Sequence, residues 1–153
     1  MTAQQIVTRL QQRLTEEGIQ WRAQTVDTFK SGSPDTEVRG IATSGMATFY
    51  LIQRAAARGR NFVISHEPTF YNHNDQTAAF TLDPTYLAKQ QFIREHNMVV
   101  FRFHDHAHML RPDPLIIGSA RALGLTPFAQ PDKLGCALSS DFDTRCRCRI
   151  AGG

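Results

Sequence analysis

Two short runs hold most of the ligating side chains in this 153-residue chain. One is His66-Glu67-Pro68, and the other is His104-Asp105-His106-Ala107-His108. Of the six histidines, His73 follows the first run and only His96 stands apart. Imidazole nitrogens and carboxylate oxygens suit zinc, iron, manganese or nickel. Two such divalent ions about 4 Å apart can hold a bridging water and activate it for hydrolysis. Glu67 or a cluster histidine would then move protons, with Glu67 the candidate catalytic base. The plainer reading of Glu67 is a solvated loop carboxylate before a proline. The second run is harder to explain as packing, since it sets four potential ligands in five residues behind an apolar strand. In extended backbone His104, His106 and His108 would share one face, with Asp105 opposite, and a turn would lift that restriction. Arg102 and Arg111 flank the run, either as anion contacts or as ordinary surface arginines. Asp113 before Pro114 reads first as a helix N-cap.

These runs matter because of what precedes them. The chain opens with a helix expected over about residues 3–17, with Ile6, Leu10 and Leu14 on one stripe. Thr2 and Gln5 have capping-box spacing, and Gly18 supplies a stop. Residues 19–26 read as a short strand and 30–35 as a loop. A β-α-β pattern follows: strand 37–43, helix 46–58 ended by Gly59, and the apolar strand 61–65. Such an uninterrupted apolar run belongs inside a parallel sheet. The unit then repeats, with a polar loop over 66–82, a helix opened by Asp83-Pro84, and a strand over 98–103. A last helix opens at Asp113-Pro114 and ends at Gly124. The fold class is α/β, a largely parallel sheet flanked by helices. Both ligand runs then sit at the carboxyl ends of strands, where such sheets bind ligands. If the two strands are neighbours, their ends lie about 5 Å apart.

Composition excludes several functions. Apolar residues make up 41% and charged residues 20%, a globular balance. No apolar window is long enough to span a bilayer, and the polar N-terminus lacks a signal-peptide block, so the expected compartment is the cytoplasm. The net charge of +3 owes everything to Arg145, Arg147 and Arg149 near the end. Without them the basic and acidic residues balance, so no basic face for nucleic acid is expected. Cys136, Cys146 and Cys148 form neither a disulfide framework nor a zinc knuckle by spacing. No phosphate-binding or dinucleotide glycine pattern and no nucleophile elbow occurs. A metal-binding α/β domain is expected over 1–134. An irregular tail is expected over 135–153, as truncation or a shifted reading frame would produce.

The order Val38-Arg39-Gly40-Ile41-Ala42, Ala55-Ala56-Ala57-Arg58-Gly59 and Asn61 to Phe70 resembles the Nif3-like family, also called GTP cyclohydrolase 1 type 2 homologues or dinuclear metal centre hexameric proteins. The resemblance covers about residues 35–125. It implies a parallel α/β fold, two metal ions per complete site, and a homo-oligomer, hexameric in the family, with metals facing an inner cavity. His66 matches the first histidine of the family's His-His-Pro motif, and Glu67 replaces the second. For the family's next ligand, an aspartate, His108 matches by position and Asp105 by residue type, with His104 and His106 ranked behind them. The family's closing His-x-x-x-Glu has no counterpart after residue 108. Two functions stay open: a metal-dependent hydrolase of unknown substrate, or a non-catalytic metal-binding or assembly module, including an inactive truncated fragment.

Overall fold

The computed structural model of the chain describes residues 1–126. The three cysteines and the tail expected over 135–153 lie outside the described residues, as does the end of the domain expected over 1–134. The described residues fall into two units, Met1–His106 and a second that begins at Ala107.

The first unit is built on a four-stranded sheet in the order β1-β4-β3-β2. Its strands are β1 (Phe29–Ser31), β2 (Ile41–Ser44), β3 (Phe62–Ser65) and β4 (Val99–Arg102), and its helices are α1 (Ala3–Glu16), α2 (Phe49–Ala56) and α3 (Pro84–Glu95). β2, β3 and β4 run parallel, while β1 joins the β4 edge antiparallel. Successive strand side chains point to opposite faces, and both faces of the central strands are covered. Phe62, Val99 and Phe101 pack with Ala3 and Val7 of α1. Val63 and Val100 pack with Ile52, Ala55 and Ile93 of α2 and α3. This double burial is why 62–64 and 99–101 are unbroken apolar runs.

Local chemistry sets the helix starts. The Thr2 hydroxyl accepts from Gln5 N–H while Gln5 Oε1 accepts from Thr2 N–H, completing the capping box. Asp83 caps α3 through Tyr86 N–H, with Pro84 in the first turn. The second unit opens with a 3-10 turn, Ala107–Met109, followed by α4 (Pro114–Ala122). Asp113 caps α4 by accepting from Leu115 and Ile116 N–H. No helix among the described residues is long and apolar enough to cross a membrane.

Two expectations need correction. Residues 19–26 form no strand, and the short edge strand β1 instead begins at Phe29 and runs through Lys30 and Ser31, the start of the segment expected to be a loop. The reason is tertiary: Phe29 packs edge-on against Phe101, with ring centroids 5.1 Å apart, and pairs with it across the sheet. The chain then turns at Gly32, whose φ is +81° and where a Cβ would lie 2.2 Å from Met98 O. Both the backbone conformation and the space exclude a side chain. Gly32→Ala is therefore expected to lower unfolding free energy by about 2 kcal/mol or more in a urea titration. An unchanged midpoint would contradict this account of the turn.

Candidate metal centre

β3 and β4 are parallel neighbours with Ser65 opposite Arg102. Both ligand runs therefore leave the sheet at the carboxyl ends of adjacent strands. Phe103 N–H donates to Ser65 O at 2.8 Å, carrying the pairing one residue beyond β4. His66 and His104 then meet, their rings stacked with centroids 4.4 Å apart. His73, from the loop after β3, approaches His104 edge-on at 5.4 Å.

Each of the two stacked rings is held through Nδ1. His66 Nδ1 lies 3.3 Å from Phe103 O, and His104 Nδ1 lies 3.0 Å from Asp105 Oδ1. A carbonyl or carboxylate accepts the Nδ1 proton and makes Nε2 the basic nitrogen, the arrangement that orients imidazoles on metals. Both side chains are largely buried, at 13% and 21% exposure. Glu67 Oε1 stands 3.9 Å from His66 Nε2 with its side chain half exposed. It is thus beside the stacked pair and open to solvent on its other side.

Asp105 is committed to positioning. Its Oδ2 accepts from the Thr25 hydroxyl at 2.8 Å and from Val26 N–H at 3.1 Å, while Oδ1 meets His104. Desolvation alone would raise its pKa, but the hydrogen bonds from His104, Thr25 and Val26 outweigh it and hold the carboxyl well below the usual range.

The expected shared face of His104, His106 and His108 does not form, because the chain turns at Asp105 and His106. His106 instead points into the core. It is fully buried and stacks on Trp21 with centroids 3.9 Å apart. Its Nδ1 meets Asp27 Oδ2 at 2.6 Å and its Nε2 accepts from Arg22 N–H at 3.0 Å. With both nitrogens used by the protein, its chemistry here is that of a structural histidine. His108 belongs to the second unit, where its Nδ1 lies 2.7 Å from Asp113 Oδ2 and its side chain is 43% exposed. It repeats the Nδ1 anchoring of His66 and His104. Asp113, besides capping α4, thus orients this ring.

Two residues shape the site in ways the sequence does not indicate. Asp27 is buried. Its Oδ1 accepts from His104 and Asp105 N–H, and its Oδ2 accepts from His106 N–H. One carboxylate thereby shapes the turn that carries the second run. Arg102 is neither an anion contact nor a surface residue: it is fully buried. Its guanidinium donates to His66 O and His73 O, tying the two loops to the end of β4. Arg111 does stay at the surface, where it donates to the carbonyls of His108 and Leu110.

Within the first unit His66 and His104 form a pair of imidazoles that could hold a metal ion. A donor set of imidazoles fits zinc, iron or nickel better than the oxygen-seeking magnesium or calcium.

The folded chain aligns with Staphylococcus aureus protein SA1388 at a TM-score of 0.60 and 20% identity, over 81% of this chain and 34% of that one. It aligns with a Bacillus cereus protein related to NIF3 at a TM-score of 0.59 and 19% identity, over 81% of this chain and 33% of that one. The fold is Nif3-like. Reduced HcgD from Methanocaldococcus jannaschii shares this Nif3-like fold at a TM-score of 0.55 and 18% identity, over 71% of this chain and 41% of that one. The chain therefore spans well under half the length of each of these Nif3-like structures. No family model and no curated protein matches the sequence.

Proposed function

We propose that this chain is a Nif3-like metal-binding domain whose His66 and His104 take a divalent transition-metal ion for hydrolytic chemistry. The observation that carries the reading is the stacked His66–His104 pair at adjacent strand ends, each ring anchored at Nδ1. An ion held there would supply Lewis acidity and lower the pKa of a bound water. The protein's own groups do the rest. Phe103 O and Asp105 keep the His66 and His104 imidazoles in the tautomer that presents Nε2. Glu67, half exposed beside His66, accepts a proton at Oε1 and is also the residue best placed to add an oxygen ligand for a second ion.

A second reading has its own support. The chain covers only 34% of SA1388, so the domain can serve as a non-catalytic metal-binding or assembly module completed by other protein. Assembly into a homo-oligomer, hexameric by the family resemblance, and residence in the cytoplasm belong to both readings. Elemental analysis of protein purified without chelators decides first. About one equivalent or more of zinc, iron, manganese or nickel per chain is expected, and metal-free native protein would end both readings. Turnover of simple ester, phosphoester or cyclic amide substrates by the metal-loaded chain then favours the hydrolase. Metal without turnover favours the module.

A further inference from the structure

Apart from the histidines, the first unit holds a cleft with a volume of about 270 Å³. This lies near the lower limit for small-molecule sites, and its aromatic walls fit that use. Phe49, Phe70 and Tyr86 supply those walls, and Lys89 lines the same space. Lys89 is only 8% exposed. Its Nζ donates to Ala47 O and Thr69 O, each at 2.6 Å, and sits 4.9 Å from the Phe70 ring centre. None of these partners carries a formal charge. Asp75, the carboxylate that acts on Lys89 through space, is engaged with Lys30 at 3.7 Å. Among the described residues no carboxylate lies within ion-pair distance of Lys89. Burial pushes its amine down to about 8, against the pull of Asp75.

A buried ammonium without a counter-charge is costly, and an anion in the adjoining space would relieve that cost. Two further observations point the same way. Thr69 lines the cleft and is 5% exposed, and its hydroxyl oxygen has no hydrogen-bond partner among the described residues. The cleft is also lined by Thr48, the N-cap of α2, and by Thr85 in the first turn of α3. The positive ends of two helices are thus at its wall.

We propose that this cleft binds a small organic monocarboxylate with an apolar or aromatic body. The carboxylate meets the Lys89 ammonium and the Thr69 hydroxyl, and the body lies against Phe49, Phe70 and Tyr86. The site is independent of the histidine centre and of the function proposed for it.

The test is a fluorine NMR titration of the full chain with para-fluorobenzoate and, separately, para-fluorobenzamide, which has the same shape without the charge. Saturable binding of the benzoate is expected, about tenfold tighter than the amide, as one charge-assisted contact would give. Lys89→Met is expected to remove that preference, and Thr69→Val to weaken the benzoate severalfold while leaving the amide unchanged. His104→Ala should leave benzoate affinity unaltered. Equal affinity for the two probes, no saturable binding, or loss of benzoate binding in His104→Ala protein would each overturn the proposal. Should Lys89→Met not fold, the two-probe comparison and Thr69→Val still decide.

Discussion

Replacing His104 with alanine is expected to weaken zinc or iron binding by about a hundredfold or more, with little loss of stability. The His104 side chain is largely buried, at 21% exposure, but it lies at the strand end and packs against His66 and His73 rather than in the hydrophobic core. Its backbone N–H, which Asp27 accepts, survives the substitution. Truncation removes one of the two stacked rings and leaves Asp105 held by Thr25 and Val26. Metal affinity should therefore fall far more than unfolding free energy. His106→Ala should do the reverse. It deletes a fully buried ring stacked on Trp21 and leaves Asp27 Oδ2 and Arg22 N–H without that partner, so stability falls by about 2–4 kcal/mol. Competition titration with a chromophoric chelator and urea unfolding separate the two. If His106→Ala abolished metal binding while His104→Ala kept it, the assignment of the centre to the stacked pair would be wrong.

The contrast between these histidines shows what could be read from the chain alone. Clustering of ligand types behind 62–65 and 99–102 is enough to place His66 and His104 at the carboxyl ends of two strands, and the pairing of β3 with β4 makes those strands neighbours. The signal was strong because double-sided burial makes such strands unbroken apolar runs. Which imidazoles present Nε2 was not legible. That depends on partners remote in sequence: His106 turns inward because Asp27 and Trp21 wait for it across nearly the whole first unit. Asp27 itself gave no signal, since an isolated aspartate near Val26 looks like any loop carboxylate until the turn over 104–106 closes on it. β1 was hidden for a related reason. Its three residues carry no alternation of their own and are half-buried only because β4 offers an edge. Residues 19–26 read as a short strand from the sequence but form none, and Trp21 is spent on the His106 ring. Arg102 was misplaced because arginines are mostly exposed. The carbonyls of His66 and His73 that satisfy it come from a loop whose path has no local signature.

The heaviest single loss is expected at Asp27. Its carboxylate is buried, and three consecutive backbone N–H groups and the His106 ring converge on its two oxygens, at 2.6 to 2.9 Å. Asp27→Ala would leave buried amides without acceptors and take the partner from a buried imidazole. Removing one member of such a network costs about 3–5 kcal/mol, because the groups left behind remain desolvated. Asp27→Asn keeps the shape but turns one acceptor into a donor facing donors, so a smaller loss of about 2–3 kcal/mol is expected. The chain has a single tryptophan, and it stacks on His106. The emission of Trp21 therefore reports this turn directly. In folded Asp27→Asn protein, altered Trp21 emission and at least tenfold weaker metal binding should appear together, since the turn that sets His104 depends on the same carboxylate. Unchanged emission with full metal affinity would show that the backbone holds the turn without Asp27. The positioning role assigned to this residue would then fall, while the stacked pair of His66 and His104 would stand.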